Sequence, residues 1–116
     1  MYFAILCFDR PGLGELREVT RPEHLRYLKE HHEKMHMGGP FENNEADIVG
    51  TLFIINVESH AAAWAFTANE PFHKAGLFET VIVRRWRQMQ PEVAPGANAG
   101  SLTEGEMQLK QEGITK

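Results

Sequence analysis

Six histidines supply the side chains of this 116-residue chain best suited to exchanging a proton near neutral pH. His24 stands out among them. It follows Thr20-Arg21-Pro22-Glu23, a hydroxyl, a proline and a carboxylate in the order that opens a helix, and it precedes Leu25 at the edge of an apolar stripe. From that edge an imidazole can face a sheet obliquely and trade protons with a ligand lodged between helix and sheet, provided a carboxylate fixes its tautomer. Glu70 is the candidate carboxylate, because Pro71 forces the chain out of a helix and presents Glu70 at its end beside a loop. The ordinary alternatives are a helix-surface histidine and a solvent-facing acid.

The other chemistry-bearing residues are weaker candidates. Phe72 and Phe41 are candidate pocket walls, and His73, two residues after Pro71, can line the same mouth. His32 and His36 stand four apart and would share a helix face, but a catalytic zinc needs three protein ligands and the spacing fixes no third, so no metal site is assigned. His60 reads as a polar surface residue. Gly38-Gly39-Pro40 lacks the lysine and hydroxyl of a phosphate-binding loop. Cys7 is the single cysteine and lies in an apolar run, which reads as a small buried hydrophobe, not a nucleophile, in a protein of the reducing cytoplasm.

The net charge of −4 offers no general attraction to nucleic acid or to anionic lipid, and Arg84, Arg85 and Arg87 form only a short basic rim at a strand end. The run Tyr2 to Phe8 has no basic leader and is far shorter than a spanning helix, so a signal peptide and a membrane anchor are not expected. One domain with one core suits this length.

The elements that must hold these residues alternate along the chain. Residues 2–8 read as a central strand, and a helix is expected from about Arg21, with Leu25, Leu28, His32 and Met35 as its buried stripe. Met35 to Pro40 reads as a short second strand, and Gly50 to Val57 as a third that ends at Ser59, an N-cap. The alanine-rich stretch Ala61 to Ala68 is a helix, Phe72 to Gly76 a turn, and Leu77 to Trp86 a long strand with Phe78, Thr80, Ile82 and Arg84 on one face. The order βαββαβ predicts an α+β, ferredoxin-like fold with a four-stranded antiparallel sheet. Helices on one face leave the other apolar face to a second copy, which predicts a homodimer. Residues 89–116 turn to Gln, Glu, Gly, Pro and Ala and read as a flexible or partner-wrapping tail, with a short helix from Ser101 to Gln111.

Arg21-Pro22-Glu23-His24-Leu25, Gly39-Pro40, Ala68-Asn69-Glu70-Pro71-Phe72 and Ala75-Gly76-Leu77-Phe78-Glu79 together resemble the YCII-related domain over residues 1–88. The resemblance implies a dimeric α+β barrel without metal or organic cofactor. It also implies a catalytic pair of the first-helix histidine, matched by His24, and an aspartate before proline, where this chain carries Glu70. The family includes a dehydrochlorinase of chlorinated hydroxyhydroquinones, and the wider superfamily includes muconolactone isomerases. A lyase or isomerase acting on a small, often aromatic compound is therefore expected, with His24 as base or acid and Glu70 orienting it. The rival is a ligand-binding or accessory protein without catalysis. A third class, binding haem through a histidine, would colour the purified protein.

Overall fold

Apart from one short 3-10 turn, seven elements follow one another among the described residues: β1 (Tyr2–Asp9), α1 (Gly14–Glu30), β2 (Met35–Glu42), β3 (Ile48–Asn56), α2 (His60–Ala68), α3 (Pro71–Lys74) and β4 (Phe78–Trp86). They belong to a computed structural model that describes residues 1–99. The strands form one antiparallel sheet in the order β2-β3-β1-β4, so each crossover, through α1 or through α2, passes over one strand. This is a ferredoxin-like α+β fold with a four-stranded antiparallel sheet.

The core lies between the sheet and the two long helices. Alternation along the strands sends Phe3, Ile5 and Cys7 of β1 and Phe53 and Ile55 of β3 towards the helices, where Ala63 and Phe66 of α2 and Tyr27 and Leu28 of α1 meet them. The alternate residues, among them Leu6, Phe8, Leu52 and Ile82, point to the opposite face. Gly50 on that face is buried between Phe8 of β1 and Phe41 of β2, its partners in the ladder, and the two rings stack over it with centroids 5.2 Å apart. A Cβ on Gly50 would stand 2.2 Å from the carbonyl oxygen of Cys7, so glycine is required there.

Three local expectations are corrected. First, α1 begins at Gly14, about two turns before Arg21, and Pro22 lies inside it. Proline removes the bond to the carbonyl of Glu18, a cost of about 3 kcal/mol or more in a helix interior. The early turns are held instead by tertiary contacts: Leu13 and Leu16 pack on the core, and Arg17 forms a two-pronged ion pair with Asp9. Second, the buried stripe is Leu16, Arg17, His24, Tyr27 and Leu28, whereas Leu25 is 45% exposed. α1 ends at Glu30, a short 3-10 turn covers His32–Lys34, and Met35 and His36 belong to β2, so His32 and His36 share no helix face. Third, the register between β1 and β4 shifts by one residue at Phe8/Asp9, which turns Phe78 towards the helix side, into the core with Leu77 and Val83.

The chain divides into two compact units, Met1–Trp86 and a second beginning at Arg87. Within the second, the Asn98 side chain donates to the carbonyl of Met89 at 2.5 Å, and the Glu92 carboxylate accepts the Gly96 amide at 3.1 Å. The expected helix at Ser101 to Gln111 lies outside the described residues.

Candidate active site

His24 projects from the middle of the buried side of α1, not its edge, and is 7% exposed. Glu70 follows α2, which ends at Ala68, and its carboxylate has no exposure at all. The two meet across the helix layer: His24 Nδ1 stands 2.5 Å from Glu70 Oε1. The other carboxylate oxygen, Oε2, accepts the backbone amides of Phe72 at 3.0 Å and His73 at 3.4 Å. Glu70 thereby caps α3, with Pro71 at the position where a missing N–H is harmless. A carboxylate taken wholly out of water needs such partners on both oxygens. With Nδ1 committed to Glu70, the imidazole has Nε2 left for a ligand.

The ring of His24 is also fixed in its plane. Phe72 stacks on it with centroids 4.0 Å apart and an interplanar angle of 17°. The guanidinium carbon of Arg17 lies 4.5 Å from the same Phe72 centroid. Arg17 is itself buried, gripping Asp9 through Nε and Nη2 at 2.8 and 3.0 Å and donating from Nη2 to Thr51 Oγ1 at 3.0 Å.

His24 forms part of the wall of a cavity of about 300 Å³ between α1 and the β2–β3 side of the sheet. Leu28, Met35, Phe53 and Phe72 supply apolar wall, and Arg17 and Arg21 supply charge. Glu70 lies behind His24, outside that wall, so it can orient the imidazole but cannot itself touch a ligand in the cavity.

Of the residues singled out in the sequence, His24, Glu70 and Phe72 come together here. His73 contributes its backbone amide to Glu70, while its ring lies 6.4 Å from that of Phe78 and takes no part in the wall. Phe41 is not brought to the site, because its register against Gly50 places it with Phe8 on the opposite face of the sheet. Among the described residues, no group of three or more His, Cys, Asp or Glu is arranged to hold a metal ion. Burial pushes the Cys7 thiol up to about 12, the reverse of what a nucleophile needs. Tyr27 donates its hydroxyl to the carbonyl of Phe66 at 2.7 Å, and burial, with Glu70 and Glu30 nearby, pushes its phenol up to about 12.

Sequence reasoning missed Arg17 and Arg21. The signal was present in their spacing, seven and three residues before His24, which lays all three on one helix face once the helix starts early enough.

A ferredoxin-like sheet with a buried histidine–carboxylate pair beside an apolar cavity defines the class. The sequence profile of the YCII-related domain matches residues 1–87, and the chain belongs to that family. It is 31% identical over 97 residues to an uncharacterised protein of Haemophilus influenzae, covering 77% of this chain and 99% of that one. Among solved structures it is similar to the 5-chloro-2-hydroxyhydroquinone dehydrochlorinase TftG of Burkholderia phenoliruptrix, solved in complex with 2,5-dihydroxybenzoquinone. That similarity has 36% identity and a TM-score of 0.72, covering 78% of this chain and 97% of that one. Among the described residues, no helix is long and apolar enough to cross a membrane.

Proposed function

We propose that this protein is a lyase or isomerase that moves protons on a small hydroquinone-like compound, halogenated in the simplest case. His24 acts as the acid–base group, Glu70 as the residue that orients it, and the active form is a homodimer joined through the sheet faces. The observation that carries the reading is the burial of the His24–Glu70 pair against a cavity whose remaining wall is mostly apolar. The likeness to TftG supports the substrate class, and the buried free Cys7 supports a reducing cytoplasm.

The chemistry asks only for what His24 offers. A halogenated hydroxyhydroquinone loses HX by two proton movements. His24 Nε2 first takes a hydroxyl proton and delivers it to the ring carbon that bears the halogen; that carbon becomes tetrahedral as the hydroxyl becomes a ketone. His24 then takes a second hydroxyl proton while the carbon–halogen bond breaks and its electron pair leaves with the halide, so a hydroxyquinone remains. The ring is oxidised by the electrons the halide removes, and no outside oxidant is needed. One imidazole, restored between steps, serves both transfers, while the Glu70 carboxylate holds the imidazolium that forms each time.

Chloride release from 5-chloro-2-hydroxyhydroquinone under anaerobic conditions tests the reading. His24→Asn and Glu70→Gln should each slow release by roughly 10²–10⁴-fold, to a similar degree, because the pair acts as one unit. Release that is equally fast in His24→Asn would sink the proposal. A wild-type protein that binds the compound without releasing chloride would leave the non-catalytic binding role in its place.

A further inference from the structure

The strongest unexplained feature of the cavity is its positive charge. Arg17 uses Nε and Nη2 on Asp9 and Thr51, so Nη1 retains two N–H donors for which the described residues supply no acceptor. No buried side-chain nitrogen or oxygen among the described residues lacks a partner, so Nη1 is the part of this guanidinium that reaches the open space of the cavity mouth. Arg21, one turn further on, makes no ion pair or hydrogen bond among the described residues. Both line the inner cavity with His24, and both also line a larger outer trough of about 1130 Å³. Ile48 is the third residue common to the two spaces, so the arginines stand where the trough opens into the cavity.

We infer that Arg17 and Arg21 form an anion clamp at the mouth of the cavity, which selects ligands carrying an ionised oxygen on a flat aromatic ring and presents that ring to His24. The inference rests on the proposed hydroquinone-like substrate class and specifies its charge state: the compound enters as a phenolate. The charge of Arg17 is largely matched by Asp9, so its part is directional, two donors aimed from a fixed fork. Arg21 contributes the net charge, held one turn away on the same helix face. The apolar wall offers no comparable donors, so an uncharged ring of the same shape gains only the burial. In this arrangement Arg21 is a specificity residue and Arg17 both a binding and a positioning residue, since its guanidinium also bears on the Phe72 ring stacked against His24.

Two probes of nearly equal shape separate charge from fit: 2,5-dihydroxybenzoquinone, an acidic diol ionised at neutral pH, and 2,5-dimethoxybenzoquinone, which cannot ionise. By calorimetric titration the wild type should prefer the ionised probe by at least roughly tenfold. Arg21→Gln, a change at an exposed position, should remove most of that preference without weakening the dimethoxy probe. Arg17→Lys should act in the same sense, because lysine keeps the charge but loses the fork. In turnover of 5-chloro-2-hydroxyhydroquinone, Arg21→Gln should raise KM with kcat retained, whereas His24→Asn lowers kcat. Equal binding of both probes by the wild type, or an unchanged preference in Arg21→Gln, overturns the clamp even if chloride release still depends on His24. A preference that follows Arg21 while His24→Asn releases chloride normally would preserve the clamp and remove the acid–base reading instead.

Discussion

At the scale of single residues, the site is built by giving each polar atom a fixed task. Glu70 spends one oxygen on His24 and the other on two backbone amides, Arg17 holds Asp9 and Thr51, and Tyr27 holds a helix carbonyl. Half-buried Tyr27 and fully buried Cys7 make the fold sensitive to alkali. Cys7 and Tyr27, with ordinary values of 9.0 and 10.0, both keep their protons to about 12 in the folded protein. The unfolded chain releases those protons first, so the stability they contribute is complete below about pH 9 and is lost as pH rises towards 12. Urea unfolding should show a midpoint that falls between about pH 8 and pH 11, with a smaller fall in Cys7→Ala; a midpoint independent of pH over that range would contradict it. Residue types and Pro71 made His24 and Glu70 candidates beside the commoner surface readings, and the resemblance to the YCII-related domain is what paired them. What the sequence hid was how deeply both are buried, because burial depends on the whole of α1 and on the turn into α3, and neither has a strong local signature.

Strands and helices differ in how openly they are written. The apolar runs at residues 2–8 and 50–57 announced β1 and β3 because nothing but a covered strand accommodates so many branched and aromatic side chains in succession. The start of α1 was concealed by a capping pattern at Thr20 to Glu23 that tertiary contacts override, and α3 spans four residues, too few for a period to show. Gly50 was read only as a strand residue, yet it decides the local geometry of three strands. Gly50→Ala should destabilise the protein by about 1–3 kcal/mol, because the added methyl meets the Cys7 carbonyl and the edge of Phe41 and both must move. Thermal unfolding measures this, and an unshifted Tm would show that the sheet yields there more easily than its contacts imply. Since Phe41 and Gly50 lie on the face away from His24, chloride release by the folded variant should stay near that of the wild type.

For the whole molecule, the sheet face opposite the helices carries Leu6, Phe8, Leu52 and Ile82, with Phe8 partly open to water. A second copy closing over that face is the arrangement we propose, and light scattering should then report about twice the chain mass of 13.2 kDa. A monomer at micromolar concentration would refute it. The sheet order has a further consequence during synthesis. β1 leaves the ribosome first, yet it is a central strand whose two neighbours are β3 and β4, and its last partner, Trp86, is made more than eighty residues after Tyr2. The first strand must therefore wait, apolar on both faces, until nearly the whole of the first unit has emerged. His24 waits with it, since Glu70 too comes late, so the pair cannot form until the chain has been made beyond α2.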